Sequence, residues 1–313
     1  MWYFAFSPQP FRALYMAGSI ILFLFIQLLF WTVAFLVPRL HPRCSWSVGQ
    51  LLAMLVWQTF TRTMYATQIP AEQPIEHCPA GENNTGFIWV APALQLVVGE
   101  LKELTDANGI EAVRTGGYWV GPQLGTVPAG KQACLGEKVV YHIHAAIIDA
   151  IAGYHYLVQE VGFEPQNIIL SGDSAAVDWG NTHVIPNSSM HRNARSDFIQ
   201  PVFLSGYTTR ALVGKLPLEM AARSVWISPG SLDLDVAPGF FAGLPPTCIF
   251  VGNAEVALDQ VRTLRDRIRA DNGEDAMKYM EWTNVTHVAI CMFWHEPERT
   301  MALCEIAKWL DDM

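Results

Sequence analysis

Residues 167–181 read NIILSGDSAAVDWGN, and this stretch decides the fold. Its apolar, β-branched start, residues 168–170, is typical of a buried strand, and Ser174 follows shortly after it. A serine at a sharp strand-to-helix turn is held above the sheet, and small neighbours let the turn close. Gly172 and Ala176 are those neighbours here. The stretch therefore predicts a nucleophilic serine at the carboxyl end of a strand.

The chain from residue 89 onward alternates strand-like and helix-like segments. Strands are predicted at residues 112–113, 167–170, 247–251 and 278–282, and helices at residues 139–160, 258–271 and 299–311. Such alternation is typical of an α/β domain with a mostly parallel sheet flanked by helices. We expect this domain to span residues 89–313.

A serine hydroxyl needs a histidine base, which in turn needs a carboxylate to orient it. Glu255 follows the predicted strand at residues 247–251, and His287 follows the one at residues 278–282. Loops at the carboxyl ends of parallel strands gather the active-site groups, and Ser, then acid, then His is the chain order of α/β-hydrolases. The order therefore predicts a triad of Ser174, Glu255 and His287.

Other interpretations of these residues stay open. Glu255 is also suited to the first turn of a helix, where a carboxylate favours the dipole. Asp259, one turn later, is an alternative acid. A single histidine such as His287 is often a hydrogen-bonded core residue.

A glycine-containing stretch, residues 114–121 (RTGGYWVG), follows the predicted strand at residues 112–113. Glycines let backbone amides approach a substrate oxygen closely, as an oxyanion hole requires. The stretch predicts a loop that serves this purpose, with a plain hairpin or loop as the alternative.

The sequence resembles the hormone-sensitive-lipase-type branch of the α/β-hydrolases, the fold-3 family, which includes steryl acetyl hydrolases and other carboxylesterases. The matching pieces are Gly116-Gly117-Tyr118 with Gly121, Ser171-Gly172-Asp173-Ser174-Ala175, residues 252–259 (GNAEVALD), and Thr286-His287. The resemblance implies the α/β-hydrolase fold, small-molecule ester substrates, no metal or organic cofactor, and Ser174, Glu255 and His287 as the triad. It also implies that the amides of Gly116, Gly117 and Ala175 form the oxyanion hole.

The chain departs from that family in two places. Arg114 and Thr115 stand where the family has His-Gly before its two donor glycines. Residues 176–179 (AVDW) resemble a later turn of the family, so one central helix and one strand are predicted to be missing after Ser174. This omission leaves a second function open: an inactive hydrolase-fold protein that binds an apolar ligand or a partner, or a defective splice product.

Residues 13–37 carry only four polar side chains and no charged one. This length crosses a hydrocarbon core of about 30 Å as a helix. We expect a membrane anchor and link over residues 1–45, in the endoplasmic reticulum or another endomembrane, with a buried helix as the alternative. Residues 46–88 predict an amphipathic helix on the membrane or at a substrate entrance, or else a cap helix packed on the core.

The composition excludes some classes of function. The 313 residues carry a net charge of −9 without a basic cluster, which argues against a nucleic-acid partner. The six cysteines lack metal-site spacing and are expected to be free or buried thiols, although Cys44 and Cys78 could pair in an oxidising compartment. Glycosylation triplets at Asn83, Asn187 and Asn284 favour a lumenal body, whereas the positive charges slightly favour a cytosolic one.

Overall fold

The computed structural model describes residues 4–67, 86–111, 113–121, 132–143, 147–174 and 178–313. The chain divides into two compact units. The first unit comprises Met1–Pro70 and Ala176–Met313, and the second comprises Ala71–Ala175. The division falls directly after the predicted nucleophile and its neighbour.

The first unit begins with a long apolar helix. Helix α1 (Phe11–Leu22) continues through a π-helical turn (Phe23–Gln27) into α2 (Leu28–Ala34). The stretch Phe11–Ala34 has a peak mean hydropathy of 2.2, with none of that stretch buried in the protein. By length and composition this helix is able to cross a membrane.

Helix α3 (Val48–Thr67) packs on the core of the same unit. Leu51 and Met54 are buried in a cluster that also contains Phe35, from the end of the apolar helix, and Val256. Val56 and Phe60 are about half exposed on the other side of α3. The helix therefore covers its unit with one face and presents apolar side chains with another.

The rest of the first unit carries one strand–helix–strand motif. Strand β5 (Thr247–Gly252) pairs in parallel with β6 (Met277–Trp282), and α10 (Leu258–Asn272) connects them. Helix α11 (Glu298–Asp311) follows. The segment before β5 has short helices: α6 (Ser189–Arg192), α7 (Gln200–Leu204), α8 (Tyr207–Val213) and α9 (Met220–Arg223). Residues 178–246, all of which the structure describes, include no strand.

The second unit contains two strand pairs. Strand β1 (Phe87–Val90) pairs antiparallel with β2 (Thr115–Tyr118), and β3 (Val139–Ile143) pairs in parallel with β4 (Ile168–Gly172). Its helices are α4 (Gly99–Asn108) and α5 (Ile147–Tyr156), and a π-helical turn (Leu157–Val161) extends α5. A core that includes Val90, Tyr156 and Phe163 holds the unit together.

The α/β class is confirmed, and the strands near residues 168, 247 and 278 lie where the sequence predicts them. In the part of the chain that the structure describes, however, the strands form three separate pairs instead of one sheet. The helix predicted over residues 139–160 is wrong in its first part, because Val139–Ile143 pairs with β4 and forms β3. The strand predicted at residues 112–113 is not formed at Val113, which is irregular, and Ala112 lies outside the described residues.

Candidate active site

Glu255 and His287 contact each other in the first unit. Glu255 Oε2 lies 3.2 Å from His287 Nδ1, and the two residues are only 6% and 9% exposed. Glu255 Oε1 accepts a hydrogen bond from the Gly252 N–H at 2.7 Å. Both carboxylate oxygens therefore have partners, and one of them orients the imidazole.

The end of β5 places Glu255 in this position. After Gly252 the chain turns sharply, and Ala254 N–H donates to the carbonyl of Val285, next to the histidine loop. A Cβ added at Gly252 would overlap that same carbonyl oxygen. Only glycine lets the acid turn and the histidine loop come this close.

The loop after β6 holds His287. Thr286 Oγ1 lies 2.7 Å from Nε2 of the fully buried His295. Val288 has φ of +47°, a left-handed conformation that a β-branched residue rarely adopts. The Phe198 ring lies 6.1 Å from the imidazole, centroid to centroid. His287 thus lies in a tightly bent loop, next to the ring of Phe198.

Two side chains from the segment after the apolar helix donate hydrogen bonds to the loops that carry Glu255 and His287. Arg43 Nη2 donates to the carbonyl of Asn253 at 2.9 Å, and Trp46 Nε1 donates to the carbonyl of Asn284 at 2.7 Å. The segment that follows the candidate membrane helix is therefore bonded to the acid turn and to the histidine loop.

Asp259, the alternative acid, has other partners. Its Oδ2 accepts the backbone N–H of Ser189 at 2.6 Å, and its Oδ1 lies 3.4 Å from Arg192 and 3.5 Å from Arg262. It joins α10 to α6. Of the two predicted acids, Glu255 is the one in contact with His287.

Asp197 is a residue of this region that sequence reasoning missed. It is 1% exposed, and its Oδ2 accepts the N–H of Val256, the residue after Glu255, at 2.7 Å. Burial raises the pKa of Asp197 to about 6, and the charge of His287 opposes that rise. No periodic or motif signal marks it, because Val256, the residue that ties it to the acid turn, lies 59 positions away in the chain.

Ser174 belongs to the second unit. It follows β4, is exposed, and has φ of +52°. A positive φ at a non-glycine residue is uncommon, and it is what a strained elbow imposes on its serine. Residues 175–177, including the predicted oxyanion donor Ala175, lie outside the described residues.

Gly116 and Gly117 do not form the predicted loop. They lie within β2, opposite Trp89 and Ile88 of β1. A Cβ at Gly116 would come within 2.9 Å of Cε2 of Phe87, so the cross-strand aromatic ring accounts for a small residue there. Arg114, at the family's histidine position, stacks on Trp89 with its guanidinium carbon 3.9 Å from the ring centroid.

Other predicted features fall partly within the described residues. The cysteines that the structure describes are free thiols, whereas Cys78 and the triplet at Asn83 lie outside the described ranges. The described His, Cys, Asp and Glu side chains include no group of three arranged to hold a metal.

No family model and no curated protein matches the chain, but solved structures resemble it. An esterase/lipase from an uncultured bacterium is 17% identical, with a TM-score of 0.40 and coverage of 84% of this chain and 98% of that protein. An esterase of the bacterial hormone-sensitive lipase family is 17% identical, with a TM-score of 0.46 and coverage of 84% of this chain and 97% of that protein. A hormone-sensitive lipase from a metagenome library is 18% identical, with a TM-score of 0.41 and coverage of 83% of this chain and 91% of that protein.

Proposed function

We propose that the chain is a serine hydrolase that cleaves carboxylic esters through an acyl-enzyme. The buried contact of Glu255 Oε2 with His287 Nδ1 is the observation that supports it most directly. A carboxylate at Nδ1 fixes the tautomer in which Nε2 accepts a proton, and it stabilises the imidazolium that results. Ser174, with its positive φ after β4, supplies the hydroxyl.

In the proposed reaction, Ser174 Oγ attacks the ester carbonyl carbon while His287 Nε2 takes the serine proton. The tetrahedral intermediate expels the alcohol, which leaves with that proton, and Ser174 retains the acyl group. Water then attacks the acyl-enzyme and gives a proton to His287, which passes it to Ser174 Oγ as the bond to the acyl group breaks and the acid leaves. Glu255 keeps the imidazole oriented throughout.

The oxyanion donors in this proposal are backbone amides. One is the N–H of Ala175, and the other comes from Gly116 or Gly117. Alternate residues of an antiparallel strand direct their amides toward and away from the partner strand. Only one of two neighbouring glycines in β2 therefore has an N–H that points away from β1 and is available to an oxyanion.

We further propose that the substrate is an apolar, lipid-like ester and that the chain is anchored in an endomembrane by the helix Phe11–Ala34. The hydropathy of this helix and its unburied side chains support the anchor. The hydrogen bonds from Arg43 and Trp46 to the acid and base loops connect the anchor's end to the catalytic pair. Retention of the chain in membranes washed with alkaline carbonate supports spanning, and release into the wash contradicts it.

Fluorophosphonate labelling of membranes that contain the full chain tests the reaction. We expect the parent to be labelled, and Ser174→Ala and His287→Ala to lose labelling while they stay folded. The parent should also hydrolyse short-chain p-nitrophenyl esters above the Ser174→Ala background.

A folded parent that neither reacts with the probe nor hydrolyses esters contradicts the proposal. That outcome favours the non-catalytic alternative, a hydrolase-fold protein that binds an apolar ligand. Labelling that survives Ser174→Ala would identify a different nucleophile.

A further inference from the structure

Besides Arg43, one short segment supplies several side chains that bind the turn carrying Glu255. Asn193 Nδ2 donates to the carbonyls of Asn253 (3.0 Å) and Glu255 (2.6 Å), and Ser196 Oγ donates to the carbonyl of Ala254 (2.9 Å). Asp197 Oδ2 accepts the next N–H, that of Val256. Residues 193–197 therefore bind a backbone group of every residue in the turn 253–256.

Asp197 differs from Asn193 and Ser196, the other two residues whose side chains bind the turn, because its side chain is ionisable. Its second oxygen, Oδ1, accepts the N–H of Phe198 at 2.7 Å, and its backbone carbonyl accepts from Gln58 Nε2 of α3 at 3.0 Å. A carboxylate that is 1% exposed is costly unless it is hydrogen-bonded or faces an opposite charge. Hydrogen bonds to both oxygens meet the first condition.

An opposite charge is available from His287 whenever its imidazole is protonated. The charged groups that act on Asp197 are His287, which favours its ionised form, and Glu255, which opposes it. Burial lowers the pKa of His295, which contacts Thr286 next to His287, and so favours its neutral form. Two carboxylates, Glu255 and Asp197, therefore act on one imidazole, and of these two it is Glu255 that contacts Nδ1.

We propose that Asp197 is a positioning residue of the esterase reaction: it fixes the Glu255 turn through Val256, and its charge stabilises the imidazolium of His287. This inference rests on the proposed function. An imidazolium forms each time His287 takes a proton, so a nearby fixed anion acts in the step that generates it.

The test compares Asp197→Asn with Ser196→Ala, which removes one hydrogen bond to the same turn and no charge. We expect Asp197→Asn to lower kcat about tenfold, part of the roughly 10²–10⁴-fold that general acid–base catalysis contributes, with KM nearly unchanged. The acidic limb of its kcat/KM profile should move to lower pH, because an imidazole that loses a neighbouring anion holds its proton less tightly. Ser196→Ala should keep the parent's pH profile.

A profile in Asp197→Asn that coincides with that of Ser196→Ala would overturn the proposal, because a purely structural role predicts that result. NMR titration of the His287 ring, assigned with His287→Gln, separates this failure from failure of the proposed function because it needs no turnover. A lower His287 pKa in Asp197→Asn than in the parent supports the proposal even in an inactive chain. An equal His287 pKa in the two proteins refutes it.

Discussion

At the scale of single residues, the structure separates the two carboxylates that the sequence offers as the acid. We expect Glu255→Gln to lower kcat by about 10²–10⁴-fold, because an amide at Nδ1 no longer fixes the tautomer or stabilises the imidazolium. Asp259→Asn is the matched control: its partners are Ser189, Arg192 and Arg262, so it should lose about 1 kcal/mol of stability and little activity. Ester hydrolysis and thermal unfolding of both variants check this. An equal loss of kcat in the two variants would contradict the assignment.

The sequence could predict part of this site. Chain order after two successive strands indicates Glu255 and His287, and the structure does bring them into contact. Their catalytic roles remain predictions. Asp197 could not be found in this way, since its importance arises from a turn about sixty residues later and from burial that no local pattern reports.

At the scale of elements, the close approach of Gly252, at the end of β5, to the Val285 backbone leads to a prediction about stability. Gly252→Ala should destabilise the chain by about 1–3 kcal/mol, because a methyl group there displaces the Val285 backbone and separates the acid turn from the histidine loop. Gly49→Ala, in the first turn of α3, meets only Ser47 Oγ at 3.8 Å and should be neutral or stabilising by about 0.5 kcal/mol. Urea or thermal unfolding compares the two. Equal stability of both variants would show that the close approach at Gly252 is not required.

Elements with a strong local pattern were the predictable ones. The apolar runs near residues 168 and 247 and the long polar helix α10 lie where the periodicity indicates. Elements whose identity depends on pairing were not predictable. Val139–Ile143 becomes a strand because it pairs with β4, and Gly116 and Gly117 become part of β2 because β1 lies beside them.

At the scale of the whole molecule, Asp197 links stability to pH. The pKa of Asp197 is raised in the folded state from 3.8 to about 6 by burial, so between about pH 4 and 6 the folded chain binds a proton that the unfolded chain lacks. The stability from this group is therefore full below about pH 4 and is lost as the pH rises through 6. Carboxylates whose pKa is lowered in the folded state change the stability with pH in the opposite direction. Glu281 is one of them, because its hydrogen bond with Arg262 lowers its pKa.

Comparison with Asp197→Asn isolates this contribution. Lowering the pH from 7 to 5 should stabilise the parent relative to the variant by about 1 kcal/mol, because only the parent takes up the buried proton. Hydrogen bonds that the amide changes shift the stability of the variant by the same amount at every pH, so the slope reports the charge of Asp197 together with its coupling to His287. Thermal unfolding of the detergent-solubilised chains at several pH values measures this slope. Parallel curves would mean that Asp197 has the same pKa in the folded and unfolded chain, and a relative loss of parent stability at pH 5 would mean that its folded pKa is depressed.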